Sequence, residues 1–300
     1  MADTSWKFQA QALLGVSLGN WQSLSGGDFA QSYAAVVTAV TSAHDNMLQP
    51  GTKLFIKTHK NPPPNHFTTE ALGLQWLSAS EVVNVPTVLG VSDDVPFLAI
   101  EWIEEARQRH GSDQAEREFG QQLARLHNSE CTYFGREDRR TTGSQGLPNE
   151  PMEKWSEFYA TQRLLPLAEL AATQHALDSS IIDDIESLSA KLDEFAPPGL
   201  KPSRLHGDLW AGNRLVDSNA QSWLIDPASH GGHREFDLAM MRLFGGFGQA
   251  CFDGYQEVSP MEQGWQERIP LHQLAPLIVH AIKFGSSYVK PTRDALSRYV

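Results

Sequence analysis

Residues 205–247 read LHGDLWAGNRLVDSNAQSWLIDPASHGGHREFDLAMMRLFGGF, and the spacing of three polar residues in this stretch decides the fold. Asp208 sits in a glycine-containing turn, Asn213 follows five positions later and Asp226 eighteen. The runs at 214–216 (RLV) and 223–225 (WLI) have hairpin form, and a hairpin returns Asp226 to the side of Asp208 and Asn213. Two carboxylates and an amide oxygen gathered there suit Mg²⁺, a hard ion that prefers oxygen ligands and shares them with phosphates. Singly, Asp and Asn are ordinary turn formers. The weight therefore rests on the set.

Around this stretch the chain divides by composition. Residues 1–20 carry Trp6, Phe8, Leu13 and Leu14 at loosely helical spacing. LSGGDFAQSYAAVVTAV (24–40) then breaks at paired glycines into a β-prone run, and KLFIKT (53–58) reads as a strand. NPPPN (61–65) is an irregular connection, because proline lacks a backbone donor and fixes φ. FTTEALGLQWL (67–77) reads as a helix capped by Thr68 or Thr69, and 86–91 with 97–103 as a hairpin around a polar turn. Ala115, Phe119, Leu123 and Leu126 form the stripe of a helix over 112–128, with His127 beside it as a satisfied buried polar group. Weaker helical patterns cover 151–170, 178–195, 235–244 and 271–284. The expected architecture is α+β: a small β-rich lobe, 1–103, and a larger helical lobe, 104–300, with the boundary near Glu104–His110.

Bulk properties narrow the function classes. Three hundred residues, 41% hydrophobic and 20% charged, can build sizeable cores. A net charge of −12 disfavours nonspecific binding of nucleic acid or an anionic membrane. Cys131 and Cys251 are too few for a disulfide framework or a cysteine-rich zinc site. The N-terminus MADTSWKFQA has no secretory pattern and no apolar run has spanning length, so a cytoplasmic protein is expected. No internal repeat occurs, and no GxxxxGK[ST] loop.

HGDxxxxN followed by IDP resembles the catalytic segment of the protein-kinase-like superfamily, especially its small-molecule branch of aminoglycoside and choline kinases. The resemblance implies a two-lobe kinase fold with ATP in the cleft. It makes Asp208 the catalytic base, Asn213 and Asp226 the Mg²⁺ ligands, and His206 a prop of the loop. It also implies that Lys57 binds phosphate with Glu70 as its partner, that Gly26 and Gly27 turn over the phosphates, and that the backbone around Glu101 and Ile103 receives adenine. The first turn, GGDF, lacks GxGxxG.

LHGDLWAGN with DPASHGGHREFDLAMMRLFGGF is similar to the more specific pattern of the fructosamine kinase (ketosamine kinase) family. GGD (26–28), FxxEAxGLxxL (67–77), LARLH (123–127), FG (134–135), WSEFYATQRLLP (155–166) and HxxxFGxxYV (280–289) fall in the family's order. Thr141-Thr142-Gly143 replaces an asparagine-containing turn. Asp28 or its neighbour stands where some relatives carry a redox-sensitive cysteine, and the connection 39–52 is long. Only 11 positions separate Asp226 from Asp237, too few for a long activation loop. Asp237 is expected to fix the catalytic loop through backbone donors.

The family resemblance implies an ATP- and Mg²⁺-dependent kinase that phosphorylates O3 of ketoamines, small or lysine-borne, including glycated proteins, and so releases the amine. The acidic charge balance and the lack of a spanning run point to no nucleic-acid or membrane partner, and the sequence carries no signal of oligomeric state. Trp210 is either a stacking wall for sugar or packing of the catalytic loop. His230 and His233 suggest a metal pair without further ligands, so loop packing or a substrate contact by His233 is preferred. The alternatives are another small-molecule kinase of this fold, acting on an aminoglycoside, choline-like or sugar acceptor, and a catalytically inactive nucleotide-binding scaffold.

Overall fold

The computed structural model describes residues 5–25, 29–42, 47–106, 112–140 and 143–300. Gly26, Gly27, Thr141 and Thr142 lie outside the described residues. Helix α1 (Ser5–Leu14) leads into strands β1 (Val16–Leu24), β2 (Gln31–Val40) and β3 (Lys53–Thr58). Helix α2 (His66–Ser78) follows, then β4 (Val88–Ser92) and β5 (Phe97–Glu101). These strands form one antiparallel sheet in the order β1-β2-β3-β5-β4. Of the stretch 1–20, the helix covers Ser5–Leu14. From Val16 the burial alternates instead, with Val16 and Leu18 turned into the core, which is the period of a strand.

The same period sorts β3 between two layers. Leu54 and Ile56 join Ala10, Leu14, Val37 and Phe97 on the α1 side of the sheet. Phe55 packs on the opposite cluster of Phe67, Ala71, Leu74 and Leu98, under α2. Lys57 shares the face of Phe55 and so meets α2 rather than solvent. The α2 cap differs from expectation. Asn65 is the N-cap residue without a side-chain cap bond, and Asp93 from the β4–β5 turn accepts the Phe67 N–H at 3.0 Å and the Thr68 hydroxyl. A carboxylate far away in the chain thus does the work expected of Thr68 or Thr69.

The remainder is mainly helical. Helix α3 (Asp113–His127) begins at Ser112, whose hydroxyl accepts the Ala115 N–H. Its stripe Ala115, Phe119, Leu123 and Leu126 is core, no residue of it more than 5% exposed. The helical pattern over 151–170 is α4 (Trp155–Tyr159), a π-helical turn (Ala160–Leu164) and α5 (Leu165–Thr173). Helix α6 (Ser179–Ser189) ends before a 3₁₀ turn at Leu192–Phe195. Strand β6 (Ser203–Leu205), hairpin β7 (Arg214–Val216) and β8 (Ser222–Leu224), and β9 (His230–Gly232) precede α7 (Glu235–Phe244).

Helices α8 (Gln249–Val258), α9 (Trp265–Phe284) and α10 (Val289–Leu296) complete the chain. Sequence periodicity did not reveal β6, β9, α8 or α10, and α9 runs through Pro270 and Pro276. Helix α8 lies against α3 at touching backbones. A Cβ on Gly120 would meet the Cys251 carbonyl oxygen at 1.8 Å, and one on Gly254 the Arg117 carbonyl oxygen at 2.1 Å. No helix among the described residues is long and apolar enough to cross a membrane.

Candidate active site

The loop between β6 and β7 carries Asp208, and its shape is set from beneath by Asp237 near the start of α7. Asp237 is fully buried. Its Oδ2 accepts the His206 backbone N–H at 2.8 Å and its Oδ1 that of Gly207 at 2.9 Å. His127 Nε2 lies 3.2 Å from Oδ2, and its Nδ1 lies 2.9 Å from the Tyr255 hydroxyl. Burial alone would raise the Asp237 carboxyl, but these donors, His127 foremost, hold it below the usual range. Asp237 and His127 thus act as the sequence predicts.

His206 is fully buried and spans the two loops of the site. Its Nε2–H donates to the Ile225 carbonyl (2.9 Å), while Nδ1 accepts the Asp208 N–H (3.2 Å). That pairing needs the neutral ring, and burial lowers its pKa accordingly. Gly207 has φ +82°, and a Cβ there would sit 2.0 Å from the Ala228 carbonyl oxygen. Only glycine lets the two loops approach this closely. Asn213 turns its amide nitrogen to the Asp208 carbonyl (2.8 Å) and Oδ2 (3.2 Å), which leaves its amide oxygen as the ligand atom. Its carbonyl accepts the Ile225 N–H at 3.0 Å, so the hairpin does bring Asp226 back beside Asp208 and Asn213.

Asp226 adopts φ +54°, a left-handed conformation uncommon outside glycine. It bonds Lys57, whose Nζ also reaches Glu70 Oε1 at 2.8 Å. Burial pulls Lys57 down in pKa, and the carboxylates of Asp226 and Glu70 more than reverse it. The three groups that the sequence scatters over 169 positions are one ion triad. Burial, followed by the Asp226 carboxylate, pushes Asp208 up to about 7.

Two cavities meet at Asp208. The first, about 670 Å³, runs between the sheet and the helical part, with Phe55, Lys57, Ile100, Asn213 and Asp226 in its wall. Glu101 and Ile103 line it, and the Ile103 N–H pairs with no other described residue. The second, about 620 Å³, opens into the helical part among Phe244, Val279, His280, Phe284 and Tyr288. Asp208, Trp210 and Lys283 line both. Trp210 is 41% exposed with its ring folded over Gly212, so it forms a wall rather than core. Gly143, from the turn that departs from the family pattern, also borders both cavities.

His233 is the correction. It is 3% exposed, lines neither cavity and packs against Trp155 and His272. His230 lines the second cavity instead, with Nδ1 2.9 Å from the Ala228 carbonyl. The fold does supply His233 with partners that the sequence hid, since Glu235 and His272 place donor atoms within 4.8 Å. Arg268, however, grips Glu235 through both oxygens at 2.6 and 2.9 Å, and His233 Nδ1 accepts the Glu235 N–H. These contacts describe a packed polar cluster. Sequence reasoning gave no role to Arg163, although it lies in the quoted run 155–166, nor to Lys283. His280, Phe284 and Tyr288 belonged to a recognised run, but only α9 and the turn after it make them one wall.

Comparison with known proteins bears on the family and the fold. The family model described as fructosamine kinase matches residues 7–300. The chain is 33% identical to the "probable ketoamine kinase slr1563" of Synechocystis over 252 residues, 82% of each chain. A crystal structure assigned to a fructosamine-3-kinase from Thermobifida fusca superposes with TM-score 0.84 at 35% identity, covering 97% of both chains. Amicoumacin kinase hAmiN, in complex with AMP-PNP and Ca²⁺, shares the fold at TM-score 0.63 and 13% identity, covering 100% of this chain and 93% of that one. The fold is thus the two-part kinase-like one, and the chain belongs to the fructosamine kinase family.

Proposed function

We propose that the protein transfers the γ-phosphate of ATP to a sugar hydroxyl, O3, of ketoamines, working between lobes 1–103 and 104–300 in the cytoplasm. The observation that carries this reading is the position of Asp208, the carboxylate common to both cavities. The first cavity takes the nucleotide. The Ile103 N–H and the Glu101 backbone receive adenine, and Lys57, held by Glu70, meets the phosphates. The family resemblance assigns the turn over the phosphates to Gly26 and Gly27. The second cavity takes the acceptor against Trp210.

Asp208 accepts the hydroxyl proton as the acceptor oxygen bonds to phosphorus and the bond to the departing ADP breaks. A carboxylate with a pKa near 7 is well matched to that task. The Asn213 amide oxygen and the Asp226 oxygen not engaged by Lys57 are hard ligands suited to Mg²⁺, and the Asp226 side chain is 38% exposed. When bound, Mg²⁺ neutralises phosphate charge. Lys57 adds to that neutralisation, and positioning supplies the rest.

A phosphate on C3 adjoins the C2 carbonyl. Enolisation toward C1 makes it allylic, and its departure leads to release of the amine, which is a deglycating outcome for small adducts and glycated proteins alike. Coupled ADP release with Mg·ATP over fructosyl- and ribulosyl-lysine, free sugars, choline and an aminoglycoside tests the reading. Ketoamine-dependent ADP release that vanishes in Asp208→Asn supports it. Turnover only with another acceptor replaces the substrate.

A further inference from the structure

Arg163 is a cation without a counter-charge at the wall of the acceptor cavity. It lies in the π-helical turn between α4 and α5 and is 2% exposed, yet it lines that cavity and not the nucleotide cleft. Its Nη1 donates to the Pro148 and Gln162 carbonyls, both at 2.7 Å, and Nη2 donates to Asn149 Oδ1 at 3.0 Å. Its guanidinium carbon lies 4.7 Å from the centre of the Phe158 ring. These bonds use three of a guanidinium's five N–H groups. The Nε–H and one Nη2–H have no partner among the described residues, and no carboxylate pairs with it. Burial without a partner charge pulls its pKa down to about 9.

A buried ion costs several kcal/mol unless something neutralises it. Here only neutral oxygens do so from the protein side. The wide π turn is itself an irregularity often found at functional sites. Among the described residues lining the cavity, Asp208 is the one carboxylate, and it stands at the seam with the nucleotide cleft.

We propose that Arg163 is a specificity residue that binds an anionic group carried by the ketoamine. The group is either a carboxylate on the amine portion, as in the adduct of a free amino acid, or a phosphate on the sugar. Both present paired oxygens that a guanidinium fork recognises. This inference rests on the ketoamine reading and adds a charge requirement to it.

Two matched pairs of acceptors test it, with kcat/KM read by ADP release. Fructosyl-glycine against fructosyl-glycinamide changes only the carboxylate. N-ethylfructosamine 6-phosphate against N-ethylfructosamine changes only the phosphate. The wild-type protein is expected to favour the anionic member of one pair by about 10- to 100-fold, mainly through KM. The pair that responds names the source of the anion. In Arg163→Met that ratio falls toward one, and Arg163→Lys keeps part of it. Because the ratio is taken within each variant, altered basal activity does not enter. If Arg163→Met fails to fold, the wild-type and Lys ratios decide. Wild-type ratios near one in both pairs overturn the proposal and leave the ketoamine reading standing. A ratio unchanged in Arg163→Met also overturns it. No turnover of any of the four acceptors overturns both readings.

Discussion

Asp237→Asn isolates the support of the catalytic loop from its chemistry. The native carboxylate offers one oxygen to the Gly207 N–H and the other to the His206 N–H and His127. An asparagine keeps one oxygen and puts an NH₂ in place of the other. Whichever way the amide is set, one buried backbone N–H faces a donor and loses its bond, at about 1–3 kcal/mol. The remaining bonds lose their charge assistance, roughly 0.5–1 kcal/mol more. The expected destabilisation is therefore about 2–4 kcal/mol, measured by urea unfolding. The loop carrying Asp208 relaxes at the same time, and a shift near 1 Å costs about 100-fold in kcat. KM for ATP should move little, because Lys57 and Ile103 are not on this loop. His127→Gln, which removes only the outermost bond, should show a smaller form of the same split. Wild-type kcat in a folded Asp237→Asn protein, or a rise in KM for ATP with kcat unchanged, would refute the positioning argument.

Lys57→Met leaves the Glu70 and Asp226 carboxylates facing one another. Because Asp226 is 38% exposed, the expected cost is about 2–3 kcal/mol, below the range for fully buried pairs. Turnover should fall at least about 100-fold, and near-normal kcat in an ADP-release assay would contradict the phosphate role. Gly254→Val places a Cβ 2.1 Å from the Arg117 carbonyl oxygen, so α3 and α8 must part. That change should cost about 2–3 kcal/mol, and an unchanged Tm would show the helices to be loosely docked. Acid should destabilise the fold through its buried histidines. Burial holds His230 near 3 and His233 well below the ordinary value. The unfolded chain therefore binds more protons below pH 6.5, and stability is retained above that pH and lost beneath it. At pH 5 His230 alone removes about 2 kcal/mol relative to pH 8, and His233 acts in the same direction. Equal or greater urea resistance at pH 5 would be the contrary result.

What the sequence made legible follows the range of the forces involved. β3 and α3 could be read because their burial follows strand and helix periods within a few residues. The convergence of Asp208, Asn213 and Asp226 was legible because a short hairpin closes it. The caps and seams were not. The residue satisfying the start of α2 is Asp93, which reaches it only after β4 folds back. Helix α8 was hidden because its buried face is short, Cys251 and Tyr255 with Gly254 between them. Its close approach to α3 is made by Gly120 and Gly254 rather than by an extended apolar stripe.

The two histidines of SHGGH show why the acceptor site in particular escaped. In sequence they are equivalent, each beside glycine, and nothing local decides which one faces substrate. The choice is made by β9, whose pairing sets His230 opposite Leu205, the residue just before the His206-Gly207-Asp208 turn. That register carries His230 to the acceptor cavity. His233 lies one residue past the strand, where the chain turns into α7 and the ring drops between Trp155 of α4 and His272 of α9. Arg163 escaped for the same reason. It read as one position of a helical pattern, and its importance depends on which charges are absent around it, a property that exists only once the cavity has formed.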